Sequence, residues 1–323
     1  MGKIIKQINL VKYLITDPKA LYTAIMIYLL SVTRNYKKLA DYLYTLTFHK
    51  KINWEHPEDL NQWINFLAFT TDTTQWSEFA DKYKVKDIIK NRGFEDMVVP
   101  LLGKWSNIDD VSFEDLPDTF VLKLNNGCGS IIYVKDKSPA NLNDIKQSLR
   151  EYMGKGFGNH TAEPHYLRIV PMIIAEKYLE GKNQVIPSCS LIYFKFWCFN
   201  GKVISCLLIT NRAVGEFKYA LYSVEDGWKD ISAGNLNYSD TRRPLDIAVP
   251  RPRSLEKMIE FASNISKGHP QMRVDLYEVD NKPYFGEITM TSFCGRMNYF
   301  SSSYLKELGN CVKEAYREIE AKR

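Results

Sequence analysis

The sequence predicts an α+β protein with largely antiparallel sheets, because hairpin signals alternate with helical patterns along most of its 323 residues. Three hairpins carry the prediction. Asn200-Gly201 joins the apolar runs 191–199 and 202–210, and an Asn-Gly pair between hydrophobic stretches is the strongest short hairpin signal. Residues 120–124 and 131–134 flank the turn N-N-G-C-G-S, and residues 273–289 alternate apolar and polar about Asp280-Asn281.

In chain order, residues 1–75 read as helical. A helix from Trp76 carries A-D-K-Y-K-V-K-D-I-I-K and leads to a strand-length apolar run at 98–102. After a polar loop with Pro117 comes the first hairpin, then a helix over 141–153 and a Gly-rich loop, G-K-G-F-G-N-H, over 154–160. Residues 169–175 read as a strand ending in E-K-Y-L-E-G. The Asn-Gly hairpin follows, 211–250 read as loop, and 254–267 as a helix with a capping-box start at Ser254, where Lys257 replaces the usual acid. The last hairpin precedes a final helix from about residue 303.

Composition narrows the function. With 45% hydrophobic and 13% aromatic residues the chain has ample material for a large core. A net charge of +5, spread without an RRM, KH or zinc-finger pattern, argues against a nucleic-acid partner and leaves anionic small molecules or an anionic membrane surface open. Six cysteines show no C-x-x-C pair, which points to free thiols in a reducing cytoplasm. Residues 20–33 form an uncharged, mostly apolar run of 14, short of the roughly 20 that a spanning helix needs. With its basic, aromatic continuation to Lys51 it either packs on the protein's own core or lies on a membrane or partner. The run begins late, after Asp17 and Pro18, and no cleavage site follows, so no signal peptide is expected.

The hairpin at 273–289 carries the clearest chemistry. If its loop is the three residues 280–282, Asp275 lies opposite Glu287, with Arg273 and Thr289 completing the same face. Opposed Cβ atoms on paired strands sit roughly 4.5–5.5 Å apart, where two carboxylates repel and call for a cation such as Mg²⁺. A two-residue loop would instead put the acids on opposite faces, and a solvated charged face is the plain alternative. The turn Asn125-Asn126-Gly127-Cys128-Gly129-Ser130 after Lys123 reads either as a phosphate-cradling flap or as an ordinary hairpin turn. It is neither a Walker loop nor a dinucleotide-binding turn. Glu176-Lys177-Tyr178-Leu179 leaves a strand as an extended hinge of the kind that can pair with an adenine edge.

The order of these motifs resembles the ATP-grasp fold, and their wording resembles its TupA-like, teichuronopeptide-biosynthesis branch from bacterial surface-polysaccharide clusters. The resemblance covers about residues 53–308 through D-K-Y-K-V-K-D-I-I, L-P-D-T-F-V-L-K-L-N-N-G-C-G, the hinge, K-F-W-C-F-N-G-K-V and M-R-V-D-L-Y-E-V-D-N-K-P-Y-F-G-E-I-T. It implies two antiparallel-sheet subdomains clamping ATP: a helical region at 1–75, a small subdomain at 76–180 and a large one at 181–323. It further implies that Lys82 and Lys123 hold the α- and β-phosphates under a flap of Asn126, Gly127, Cys128, Gly129 and Ser130. Glu176, Lys177, Tyr178 and Leu179 then form the adenine clamp, and Lys195 and Arg212 lie near the γ-phosphate. Asp275, Glu287 and Thr289 ligate Mg²⁺, and Arg273 steadies the reacting carboxylate. Several positions depart from the family pattern: Asn126 stands for the usual histidine, Tyr193 for an acid, Thr289 for a frequent asparagine, and M-T-S-F-C-G-R replaces the usual tail.

The implied activity is ATP-dependent carboxylate–amine ligation in capsule or surface-polysaccharide synthesis, with small-molecule or polysaccharide-linked acids and amines as substrates. A sugar kinase of the same fold, or a nucleotide-binding subunit that docks a glycosyltransferase or the inner face of the membrane through residues 1–75, are the alternatives.

Overall fold

The computed structural model describes residues 17–154, 156–181, 183–212, 215 and 217–322. Helix α1 (Pro18–Val32) starts where Asp17 accepts hydrogen bonds from the Lys19 and Ala20 amides at 2.9 and 3.1 Å, satisfying two first-turn donors, with proline preset at the first helical position. A turn through Arg34, at φ 54°, leads into α2 (Tyr36–Phe48). Ile27 and Leu30 of α1 pack with Leu39, Ala40, Tyr44 and Ile52 in a small core of their own.

Helix α3 (Leu60–Thr70) is buried over most of its length and joins the main core through Leu60, Trp63, Ile64 and Leu67. The helix expected from Trp76 is two helices, α4 (Thr74–Ala80) and α5 (Val85–Asn91). Asp81 breaks it. Its carboxylate accepts from the Tyr83 and Lys84 amides at 2.9 and 3.2 Å, a local side-chain bond that competes with helix continuation.

One sheet has four antiparallel strands in the order β1-β4-β2-β3: β1 (Leu101–Trp105), β2 (Phe120–Leu124), β3 (Ile131–Val134) and β4 (Ile173–Lys177). The strand expected at 98–102 therefore begins three residues later, after Pro100, and the one expected at 169–175 begins at Ile173. Helix α6 (Pro139–Gly154) covers this sheet through Ile145 and Leu149. A single turn, α7 (Pro164–Leu167), precedes β4.

The second sheet has seven strands. Its path is β11-β10-β5-β6-β7-β8: β5 (Tyr193–Phe199), β6 (Lys202–Thr210), β7 (Lys218–Ser223), β8 (Lys229–Asp230), β10 (Met272–Val279) and β11 (Lys282–Thr289). The short β9 (Arg243–Pro244) pairs with β7 in parallel. The stretch read as loop at 211–250 thus contains β7, which pairs with β6 from Ser205↔Ser223 to Thr210↔Lys218. Its six residues, mostly aromatic or apolar, sit between loop segments too irregular to announce a strand. Helices α8 (Leu255–Ser266) and α9 (Ser302–Glu320) complete the core of this sheet with α3, α4 and α5.

Two turns show how sequence sets geometry. Asn200 and Gly201 both take positive φ, 48° and 90°, as a two-residue hairpin of this twist requires. Ser254 does not cap α8 with its hydroxyl as a capping box would. It donates its amide to Glu278 at 2.8 Å and its hydroxyl to the same carboxylate, tying α8 to β10.

Candidate active site

The hairpin β10–β11 places Asp275 opposite Glu287 and Arg273 opposite Thr289. The expected pairing is present, but the expected three-residue loop is not. The turn has two residues, Asp280 and Asn281, with φ of 52° and 62°, and the register shifts by one between Asp275 and Leu276, where Gly286 is the extra residue. A bulge of this kind re-aims the side chains beyond it. A Cβ at Gly286 would lie 2.9 Å from both the Asp275 carbonyl oxygen and the Tyr277 ring, so glycine is what lets the bulge close.

Asp275 is 1% exposed and fully neutralised. Arg273 forks onto it, Nε to Oδ1 at 2.7 Å and Nη2 to Oδ2 at 2.9 Å, and Lys195 from the neighbouring β5 donates to Oδ2. Burial alone would push the Asp275 carboxyl up, but Arg273 and Lys195 outweigh it and hold it well below the usual carboxylate range. Burial, reinforced by Arg273, lowers the Lys195 ammonium. Arg273 also donates to Glu287 Oε1 at 3.2 Å, to the Thr289 hydroxyl at 2.8 Å and to the Ser292 hydroxyl at 3.2 Å. It is a guanidinium fixed on five oxygens.

Lys82 reaches this cluster from the other side. The turn created by Asp81 puts it between sheets, its Nζ donating to the Gly127 carbonyl of the flap and standing 4.0 Å from Glu287 Oε2. Burial lowers its ammonium too. The 125–130 turn is held against Lys82 by Asn125, which is fully buried. Its carbonyl accepts from the Lys82 amide at 2.8 Å, while its side chain donates to Asp81 at 3.0 Å and accepts from the Met172 amide at 2.7 Å. Gly127 and Gly129 have φ of 75° and 79°, and Phe157 from the Gly-rich loop packs so closely on Gly127 that a Cβ there would meet its ring at 2.3 Å. Asn126 and Ser130 are buried, while Cys128 and Gly129 are exposed at the tip.

At the hinge, Glu176 is a central-strand residue whose carboxylate sits between Lys86 at 2.7 Å and Lys123 at 2.6 Å. Its backbone lies within the sheet, and the Lys177 amide donates to the Pro100 carbonyl at 3.0 Å. The extended hinge therefore begins beyond Lys177, at half-buried Tyr178 and Leu179. Tyr178 meets Tyr133 edge to face at 6.1 Å. Arg212 is exposed on the rim, its guanidinium 4.4 Å from the centre of the Tyr193 ring, and Lys195 Nζ lies 5.2 Å from the same ring. Tyr193 is thus an aromatic platform between two cations.

Three residues outside the candidate set belong to this framework. Lys86 follows Lys82 by four positions, a spacing that would have put both on one helix face. Asn125 adjoins the flap. Glu163, 4% exposed, accepts from Thr161 at 2.7 Å, from Cys294 at 3.3 Å and from Thr291, fastening the 291–295 turn, and burial raises its carboxyl. Nothing in the pattern of isolated acids marks Glu163 out.

Among the described residues, no group of three or more His, Cys, Asp or Glu could hold a metal alone. Two opposed carboxylates are nonetheless the share that Mg²⁺ takes from a protein when nucleotide phosphates supply the other oxygens. Here the protein's own cations balance the couple: Arg273 and Lys195 occupy both Asp275 oxygens, and Arg273 and Lys82 face Glu287, so a metal would have to share or displace these contacts.

Two largely antiparallel sheets, a glycine-bearing turn on one and an acidic hairpin on the other, are the architecture of an ATP-grasp protein. The TupA-like ATP-grasp family matches residues 62–313, and the chain belongs to that family. No curated protein matches it. Among solved structures it is similar to D-alanine–D-alanine ligase from Bacillus anthracis complexed with ATP, at 15% identity, TM-score 0.45, over 76% of this chain and 69% of that one. It is similar to the Helicobacter pylori D-alanine–D-alanine ligase at 14% identity and TM-score 0.42, over 79% and 69% of the two chains. An L-amino acid ligase from Bacillus licheniformis matches at 14% identity and TM-score 0.40, over 73% of this chain and 46% of that one.

Proposed function

We propose that the chain is an ATP-dependent carboxylate–amine ligase that converts ATP to ADP and phosphate. The carrying observation is that Lys82 bridges the flap and the acidic hairpin, reaching Gly127 and Glu287 where Arg273, Asp275 and Lys195 also meet. A triphosphate entering there finds cations from both sheets. Charge-assisted contacts to phosphate are the strong class of hydrogen bond.

On this reading Lys82 and Lys123 take the α- and β-phosphates, with the backbone of residues 126–130 closing over them. Lys195 and Arg212 serve the γ-phosphate, and the hinge from Glu176 to Leu179 holds the adenine. Asp275 and Glu287, with the Thr289 hydroxyl beside them, would hold Mg²⁺, whose contribution is to offset phosphate charge. A substrate carboxylate oxygen bonds to the γ-phosphorus as the bond to ADP breaks. The amine nitrogen then attacks the acyl carbon, phosphate departs with the C–O electron pair, and the amine proton passes to solvent. Arg273, immobilised by its acidic and hydroxyl partners, faces the developing oxyanion, a role worth about 3–4 kcal/mol where such donors have been removed. Catalysis is then positioning and charge neutralisation.

Family resemblance supports a surface-polysaccharide pathway, with a uronic acid or acidic amino acid as carboxylate and an amino acid or amino sugar as amine. All six cysteines are free thiols, which suits a reducing cytoplasm. Incubation with ATP, Mg²⁺ and paired acids and amines, read by mass spectrometry, should give an amide with ADP and phosphate. A phosphorylated sugar would replace the ligase by a kinase, and no turnover with any pair would leave a binding subunit. Glu287→Gln, at a side chain 33% exposed, should abolish ADP formation without unfolding the protein, and near-normal turnover would reject the metal role.

A further inference from the structure

We propose that the outer face of α1 docks the protein on an anionic membrane surface, a role separate from the ligase reading and independent of it. Leu21, Tyr22, Ile25, Tyr28, Leu29 and Val32 are each between 41% and 61% exposed. Their spacing keeps them on one side of the helix, while Ile27, Leu30 and Ser31 on the other side pack inward. An exposed stripe of large apolar and tyrosine side chains, with no charge from residue 20 to 33, has the chemistry of a helix lying in the headgroup layer. No helix among the described residues is long and apolar enough to cross a membrane, and the 15 residues of α1 span only about 22 Å, so the helix rests on the surface.

Charge selects the occupant. Residues 1–51 carry nine Lys and Arg against two Asp and Glu, a net +7 in a chain of net +5, so everything after residue 51 sums to −2. Lys19 and Arg34 bracket the stripe at the two ends of α1, and Lys38 and Lys51 are exposed on the adjoining α2 segment. Residues 17–51 alone carry six Lys and Arg against two Asp, a net +4, so a second copy would bring a like-charged segment against the first and be repelled. Residues 1–16 supply three of those positive charges through Lys3, Lys6 and Lys12 and carry no acid, so they cannot neutralise the rest. Lys and Arg side chains near an anionic leaflet are drawn to it within a Debye length.

The docking would also fix orientation, because the hairpin is fastened to the catalytic body. The Ser31 hydroxyl donates to the Asn159 carbonyl at 3.2 Å and lies 3.0 Å from His160 Nδ1, and the Tyr36 hydroxyl donates to the Asn159 side chain at 2.8 Å. Both partners lie in the Gly-rich loop whose Phe157 packs on the flap.

The test is co-sedimentation of the full chain with vesicles of phosphatidylcholine alone or of phosphatidylcholine with phosphatidylglycerol. Binding to the anionic vesicles should exceed binding to the neutral ones by about tenfold or more and fall with added salt. Ile25→Glu with Leu29→Glu should abolish it while leaving thermal unfolding and ATP affinity unchanged. Equal binding to both vesicles, or unaltered binding by this variant, would overturn the proposal. So would a dimer in solution that the variant dissociates, or binding seen only after residues 1–16 are removed, because either result assigns the face to a protein occupant.

Discussion

Replacing Glu176 by Gln tests whether the hinge is an electrostatic keystone. The carboxylate sits 2.7 Å from Lys86 and 2.6 Å from Lys123, and all three side chains are at most 12% exposed. At an effective dielectric of about 20, each contact is worth roughly 6 kcal/mol of attraction, much of it offset by the desolvation of three charges. Removing the acid leaves two buried ammonium groups beside each other, for which the expected loss is about 3–5 kcal/mol. Gln keeps the volume and one acceptor oxygen, so the lower end applies. Burial would raise the Glu176 carboxyl, but Lys123 and Lys86 prevail and hold it below its ordinary value. The unfolded chain, with glutamates titrating near about 4.3, therefore binds more protons in acid, and this contribution is present above that pH and lost as pH falls through the lower folded value. Urea unfolding followed by tryptophan fluorescence should show the largest gap between wild type and Glu176→Gln at neutral pH, closing as pH falls below the ordinary glutamate range. A wild-type midpoint at neutral pH, or a gap that does not change with pH, would refute the keystone role.

Asp275→Asn should both stop ADP formation and lower stability by about 3–5 kcal/mol, because it strands Arg273 and Lys195 in a buried site; unchanged unfolding would show that those cations find other partners. Lys82→Met should weaken ATP binding by about tenfold or more, measured by titration calorimetry, since it removes a charge-assisted phosphate contact; equal affinity would return Lys82 to a structural role. Gly127→Ala should cost about 1–3 kcal/mol through its φ of 75° and its clash with Phe157, and adding Phe157→Ala should recover only the steric part, as read by thermal unfolding.

The parts of the fold that could be read in advance are those written in local patterns. Asn200-Gly201 specifies its own turn type, and the apolar runs flanking N-N-G-C-G-S and the alternation from Arg273 to Thr289 are visible without neighbours. What escaped depends on contacts distant in sequence. Asp81 breaks a good helical pattern because its side chain answers two amides and Asn125, and β7 forms because β6 offers it an edge. The meeting of Arg273, Asp275 and Glu287 on one hairpin face could be read from its alternation, whereas the places of Lys82 and Lys123 came only from the resemblance. Glu163 and Lys86 were not legible, because each gains its meaning from a partner 90 or more positions away, Thr291 and Glu176 respectively.

The Gly286 bulge makes the acidic couple a matter of parity. Two turn residues and one bulged residue together bring Glu287 to the same side as Asp275, with Ile288 turned inward. Adding one residue to β11 between the turn and the bulge would swap those two, presenting a branched hydrocarbon to the cleft and driving a carboxylate inward, whereas one added to the turn itself is absorbed as a three-residue loop. Adding two would lengthen the ribbon harmlessly. Length variation within this paired strand should therefore proceed in even steps, while the turn is free to vary by one.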